Sequence, residues 1–481
     1  MADYVIRPWI QDGYADPDMT VPPEVAELAE KVLSRYDMRV RGMTLITAKS
    51  DKGGAIWKLD TDRGPRSLKL LHRAPERSLF SVGAQDYLVG KGARVPQLIE
   101  TTKGRLATEA GGKLWIVTEW VEPLAPVSKT DLSGAQQLCY GLGEFHRLSR
   151  GYVEPSGAAH ASRLYRWPKT YAKILNKISW FRTLAQTYSD IPASRALLAA
   201  ADRYEAQAQE ALVRLQQSPY NQLVARSEPE WGLVHQDYGW SNGQWGPGGL
   251  WIIDLDGVAF DLPIRDLRKL IASTMDDMGV WDVGWMRGMV EAYADACPIE
   301  PELFQVLLID LALPNEFYKN VKEVVYDPAT FMATELEPLL QRLEAAEDSK
   351  ARALKDLADM AGELTSPSHT PSGGERSARR RTPDRRGETP VPDERVRPDR
   401  VAEPVREKRA KSPGKPKKPR DPTERANPSL NTADRKNKKS ARAKEPTGHR
   451  KPVKASRKAD ARKLPADAGN RRAKRKGGKT S

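Results

Sequence analysis

Cysteine is nearly absent: only Cys139 and Cys297 occur in 481 residues, far apart and each in a helix-like context. That spacing argues against a disulfide framework and leaves both as small buried hydrophobes. Six histidines scattered along the chain give no zinc-ligand pattern. The opening Met-Ala-Asp-Tyr-Val-Ile-Arg has neither the basic nor the apolar region of a signal peptide, and no apolar run is long enough to span a bilayer. The expectation is a protein made and used without secretion and with no membrane partner. Aromatic residues are missing altogether from residues 371–481, where Val and Leu are also sparse. Such a segment cannot bury enough apolar surface to offset its chain entropy, so residues 366–481 are expected to form a disordered tail.

Charge divides the chain at the same place. Residues 371–481 hold 37 lysines and arginines against 14 aspartates and glutamates, a net +23. Residues 1–370 hold 41 basic and 50 acidic residues, a net −9. An acidic body with a basic tail differs from a uniformly basic protein. The tail is expected to bind polyanions non-specifically by counterion release, with no aromatic interleaving for base stacking. Multivalent attachment to acidic partners or surface polymers follows from the same charge. Ser-Pro and Thr-Pro steps at Ser366, Thr370, Thr382, Thr389 and Ser412 are candidate phosphorylation positions that would lower it.

The richest segment runs from His235 to Asp266. His235-Gln-Asp237-Tyr-Gly-Trp-Ser-Asn242 has H-x-D-x-x-x-x-N spacing, and Asp254 closes the apolar run Leu250-Trp-Ile-Ile253 twelve residues after Asn242. This is the layout of a phosphotransferase catalytic loop followed by a metal-binding strand. Gly243-Gln244-Trp245 and Leu250–Ile253 are strand candidates around the turn Gly246-Pro247-Gly248-Gly249. Centred on Gly248, that hairpin brings Asn242 and Asp254 level at its open end, two hard oxygen ligands suited to Mg²⁺. Asp237 is positioned to orient a hydroxyl for in-line attack. His235 is expected to be a structural hydrogen-bonder. Asp256, Asp261 and Asp266 are expected to be loop and cap carboxylates, with Asp266 a candidate anchor for the loop.

Elsewhere the pattern separates a small sheet from a helical region. Glu24 to Tyr36 reads as a helix; Met43–Thr47, Ala55–Thr61 and Arg66–Leu71 read as strands; Arg77–Lys91 reads as a helix; and Arg105–Ala107 and Leu114–Val121 read as further strands. Beyond Pro123 seven stretches carry helical periodicity: 131–149, 167–188, 193–217, 264–277, 283–296, 301–313 and 333–363. The expected fold is α+β and bilobal, kinase-like, with an extension over 1–19, a small nucleotide-binding lobe over 20–122 and a helical lobe over 123–365. Lys69, a single cation on the third apolar strand, is the candidate phosphate-binding lysine, and Lys52-Gly53-Gly54 a candidate phosphate cover. Trp57, Trp115, Trp245 and Trp251 on strands, and Trp167, Tyr171, Trp180 and Phe181 on helices, are expected mainly in the core.

The strings Val-His-Gln-Asp-Tyr-Gly-Trp-Ser-Asn, Ile-Asp-Leu-Asp-Gly-Val and Asp-Leu-Pro-Ile-Arg-Asp-Leu-Arg-Lys-Leu resemble the CotS family of bacterial spore coat proteins. Leu-Trp-Ile-Val-Thr-Glu-Trp-Val-Glu-Pro and Gly-Leu-Gly-Glu-Phe-His-Arg resemble it too. That family looks like a branch of the aminoglycoside phosphotransferase and choline kinase superfamily. The resemblance covers roughly residues 20 to 350 and implies ATP and Mg²⁺ as cofactors, with Asp237 as catalytic base, Asn242 and Asp254 as metal ligands and Lys69 on the phosphates. Glu119, Trp120 and Val121 would contact adenine through their backbone, and His146 would be structural. It also implies residence in the mother-cell cytoplasm and then the spore coat, coat proteins as partners and an unknown hydroxyl acceptor. Two positions depart from the pattern. Lys52-Gly53-Gly54 replaces a full glycine-rich loop, and the helix after Lys69 offers Asp86 where a glutamate pairs the lysine. Gln236 stands where many relatives have glycine. The functional alternatives are a coat-associated phosphotransferase, a nucleotide-binding scaffold of low turnover, a soluble small-molecule kinase and a nucleic-acid binder acting through the tail.

Overall fold

The computed structural model describes residues 4–13 and 16–365, so the expectations for residues 366–481 lie outside the described residues. Helix α1 (Pro23–Leu33) starts on a proline, whose missing N–H costs nothing in a first turn, and buries Val25, Ala29, Val32 and Leu33 along one stripe. Strands β1 (Val40–Lys49), β2 (Gly54–Thr61) and β3 (Arg66–Leu70) follow, then helix α2 (Pro75–Gly90) and strands β4 (Leu98–Ile99), β5 (Thr108–Ala110) and β6 (Lys113–Glu119). The sheet order is β1-β2-β3-β6-β4, with β5 also on β6, and every pairing is antiparallel. Alternation sends Trp57, Leu59, Leu68, Trp115 and Val117 to one face, where α1, Ile6 and Trp9 cover them. On the other face Lys69 lies in register between Ile56 and Ile116. The strand expected at Arg105–Ala107 forms three residues later, at Thr108–Ala110, because Gly111 and Gly112 supply the positive-φ turn that pairs it with β6.

The helical lobe begins with α3 (Leu132–Ser149), capped by Asp131, whose carboxylate accepts from the Gly134 N–H at 2.8 Å. Its core is continuous with the helices Trp167–Thr187, Ser194–Gln217, Ile264–Met278, Val283–Ala296 and Pro301–Ala312. The long helix expected over 333–363 is broken into Pro328–Thr334, Leu336–Asp359 and Ala361–Leu364. No helix among the described residues is long and apolar enough to cross a membrane.

Between these helices Gly243–Gly246 and Gly249–Ile252 form the anticipated hairpin, but its register is one residue tighter. Gly246 faces Gly249, so the turn is Pro247-Gly248 and Ile253, rather than Asp254, lies opposite Asn242. Leu233–Val234 pairs with Ala259–Phe260, tying together both ends of the segment that carries the motif. Trp57, Trp115, Trp167, Tyr171 and Phe181 are core residues as expected. Trp245 and Trp180 are not, at 41% and 40% exposed, and Trp251 is half-buried. The two hairpin tryptophans sit on a short, solvent-edged ladder where the Trp245 indole donates to Gln137 and that of Trp251 to the Pro247 carbonyl.

Candidate active site

A cavity of about 310 Å³ lies between the sheet and the hairpin. Ile46, Ile56, Ile116 and Leu124 form apolar walls, and Lys69, Asn242 and Asp254 supply the polar end. Glu119, Trp120 and Val121 close a third side; Glu119 is fixed there by a mutual bond with Gln97, N–H to carbonyl at 3.0 Å and N–H to carboxylate at 3.1 Å. Lys52, Gly53 and Gly54 stay off the cavity wall. A Cβ on Gly53 would lie 3.2 Å from the Arg7 carbonyl, and one on Gly54 would lie 2.9 Å from the His72 Cβ. The turn is therefore packed down against its neighbours. The first hairpin reaches the site through Lys49, whose Nζ is 3.5 Å from Asp254.

Two non-glycine residues among the described residues have positive φ, Gln236 at 69° and Asp254 at 62°. Both belong to the motif segment, and such backbone is stored where surroundings over-determine it. At Asp254 the left-handed turn makes up for the tighter hairpin register by carrying the carboxylate round to the cavity beside Asn242. At Gln236 it lets two successive N–H groups, those of His235 and Gln236, point at the Asp266 carboxylate at 2.5 and 3.0 Å. His146 adds a third contact at 3.4 Å and is itself held by the Tyr293 hydroxyl at 2.8 Å. Burial raises the Asp266 carboxyl, but the His146 contact and the His235 backbone N–H hold it below the usual carboxylate range. Asp266 thus anchors the loop.

His235 is fully buried, and burial outweighs the nearby carboxylates to lower its pKa. A neutral ring fits its contacts: Nε2 donates to the Ile253 carbonyl at 3.0 Å while Nδ1 accepts from the Asp237 N–H at 3.3 Å. Asn242 donates its amide to the Asp237 carbonyl at 2.7 Å, which leaves its oxygen as the free acceptor. Asp237 is not on the cavity wall with Lys69, Asn242 and Asp254: its carboxylate is 76% accessible, with Lys269 Nζ at 3.1 Å.

Lys69 is clamped by two carboxylates, Asp254 at 2.6 Å and Asp256 at 2.7 Å. Burial opposes its charge, yet Asp256 and Asp254 together raise its pKa. Asp254 in turn lies well below the ordinary range because Lys69 and Lys49 overcome its burial. Asp256, expected as a loop carboxylate, is therefore a partner of Lys69, and Asp86 is not. Asp86 is exposed on the far side of α2, one residue out of phase, and the α2 residue that faces the cavity is Gln85. Its amide is spent on the Pro96 carbonyl at 2.6 Å. The available sequence signal for Asp256 was its place two residues after Asp254; Lys49 and Lys269 carried none. Among the described residues no group of three or more His, Cys, Asp or Glu could hold a metal. One carboxylate and one amide oxygen on a shared wall instead suit a hard cation that keeps waters and arrives with phosphates.

Residues 48–300 match the family model described as "Phosphotransferase enzyme family". This chain belongs to that family. The phosphotransferase-family chain is similar to spore coat protein S of Bacillus subtilis (strain 168), 28% identical over 335 residues that make up 69% of this chain and 95% of the relative. It also superposes on the crystal structure of an aminoglycoside phosphotransferase from Alicyclobacillus acidocaldarius with a TM-score of 0.55 at 17% identity. That match covers 72% of this chain and 97% of the other, and it shows the bilobal kinase-like α+β fold.

Proposed function

We propose that this phosphotransferase-family chain moves the γ-phosphoryl group of ATP to a hydroxyl acceptor, and does so first in the mother-cell cytoplasm and then within a spore coat. The observation that supports the transfer most is the convergence of Lys69, Asn242 and Asp254 on one cavity whose walls also carry Ile46, Ile56, Ile116 and Leu124. Adenine packs on those apolar walls against Glu119, Trp120 and Val121, and Lys69 with Lys49 takes the phosphates. Asn242 and Asp254 would hold Mg²⁺, which would neutralise charge on the transferring group. Asp237 orients the acceptor hydroxyl and takes its proton as the new O–P bond forms; the bond from the γ-phosphorus to the bridging oxygen breaks and ADP leaves. The likeness to spore coat protein S supports the coat assignment, with residues 366–481 attaching the protein to coat proteins or acidic surface polymers.

A second reading, a nucleotide-binding scaffold for coat assembly with little turnover, draws support from Gln85, which gives Lys69 no carboxylate from α2. Thermal melting with ATP, with Mg²⁺ and with both separates the two. Transfer predicts a rise of several degrees that needs both and disappears in Asp254→Ala. A rise indifferent to metal supports the scaffold.

A further inference from the structure

Against the His235–Asn242 loop, with Gln236 in its wall, lies a second cavity of about 220 Å³ whose lining is strongly cationic. Arg163, Arg166, Arg265, Arg268 and Lys269 face it, against the carboxyl groups of Asp261 and Asp266. Both acids also accept hydrogen bonds from neutral groups, and their charge offsets part of the arginine charge. Asp266 is occupied by the loop N–H groups and His146. Asp261 accepts from the Trp167 indole at 2.7 Å and from the Leu262 N–H at 2.8 Å. Beneath the floor the fully buried Asp310 serves both Arg265, at 2.9 Å, and Arg268, at 2.8 Å, with Asp261 adding to the hold on Arg265, so the three carboxylates Asp261, Asp266 and Asp310 stand against five cations. Arg163 and Arg166, at the exposed mouth, form no ion pair with a carboxylate among the described residues. Arg73 and Arg77 crowd Arg163 from the small lobe, and the Nε of Arg73 and Nη1 of Arg77 are buried with no hydrogen-bond partner. The cavity adjoins the transfer site directly: Gln236 forms part of its wall, and Lys269 reaches from it to Asp237 at 3.1 Å.

A cluster of guanidinium groups left short of counter-charge is built for an anion, since planar donors pair with phosphate or carboxylate oxygens two at a time. A polyamine in the same place would meet uncompensated like charge. The geometry points to an anionic acceptor, a small hydroxyl compound that carries a phosphate or carboxylate group seated on Arg163, Arg166 and Arg265 with its hydroxyl turned toward Asp237. This inference rests on the transfer reading for the fate of the hydroxyl, but the charge preference of the cavity is measurable without turnover.

The test uses the full chain saturated with AMP-PNP and Mg²⁺, at salt high enough to screen the basic tail. Calorimetry compares glycerol 3-phosphate, glycerate, glycerol, glucose 6-phosphate, glucose, choline and kanamycin. An anionic member should bind at least about tenfold tighter than its neutral parent, and Arg163→Gln/Arg166→Gln should erase that margin while AMP-PNP affinity and melting temperature stay unchanged. Arg166→Glu should turn the preference toward choline. Glycerate against glycerol 3-phosphate tells carboxylate from phosphate. Equal or tighter binding of the neutral or cationic members, or a preference that survives the double variant, overturns the inference. Labelled-phosphate transfer from ATP is scored separately. Transfer confined to a cationic acceptor overturns the anionic class and keeps the transfer reading; an anion preference of the cavity without transfer supports the class and removes that reading.

Discussion

Lys69 shows how much a single side chain settles. Its two carboxylate partners differ in kind: Asp254 shares the cavity wall with Asn242, whereas Asp256 faces His72 with its second oxygen at 3.7 Å and no hydrogen bond. Asp256 therefore has one task, to hold the lysine. Asp256→Asn is expected to cost about 1–3 kcal/mol in urea unfolding and to weaken ATP binding without altering its Mg²⁺ dependence, whereas Asp254→Asn should alter that dependence. Asp261 carries a pH signature. Burial pushes its carboxyl up to about 7 against the pull of Arg265 and of the Trp167 and Leu262 N–H groups, with Asp266 adding to the rise. The folded protein then keeps a proton that the unfolded chain releases near an ordinary aspartate value. Stability falls as pH rises between about 4 and 7. Asp261→Asn should flatten the unfolding free energy across that window, and a slope equal to the parent's would contradict the assignment. At this scale the sequence singled out Lys69, Asn242 and Asp254, which the fold brings to one cavity wall, because a motif fixes residue type and spacing together. It did not disclose Asp256 as the partner, since choosing between Asp86 and Asp256 depends on the phase of α2 against the sheet.

Elements place these side chains by short rigid connections. The hairpin was legible from Gly and Pro at its tip, but its register was not: four turn-forming residues in a row allow more than one pair of central residues. The tighter turn would have moved Asp254 away from Asn242 had its backbone stayed extended. The left-handed conformation at Asp254 compensates, and no pattern of apolar residues announces it. Likewise the loop before the hairpin is held from a distance by the first turn of Ile264–Met278, where Asp266 receives two backbone N–H groups. In Asp266→Asn the amide oxygen can accept one of these but its NH₂ confronts the other. A loss of about 1–3 kcal/mol is expected, together with faster amide exchange over residues 235–242 than over the sheet. Unchanged exchange in that loop would show that the Leu233–Val234 ladder alone suffices to hold it.

For the whole molecule the informative quantity is the division of charge. The lobes were readable because each rests on many weak, concordant signals: period-two alternation across β2, β3 and β6, and helical period through α3 and its neighbours. The compensated and uncompensated arginines of the second cavity were not, because they come from segments between Arg73 and Arg268 that only the fold assembles. Residues 1–370 carry −9 and residues 371–481 carry +23, so binding to an acidic polymer should belong to the tail. Heparin affinity of the full chain should fall steeply with salt, each released counterion adding close to one unit to the slope of log affinity against log salt. A chain ending at Arg380 should lose that retention while keeping the nucleotide- and Mg²⁺-dependent thermal shift. Retention that persists in the shortened chain would move the polyanion contact onto the arginine-lined cavity, and Arg163→Gln/Arg166→Gln in the shortened chain would then abolish it.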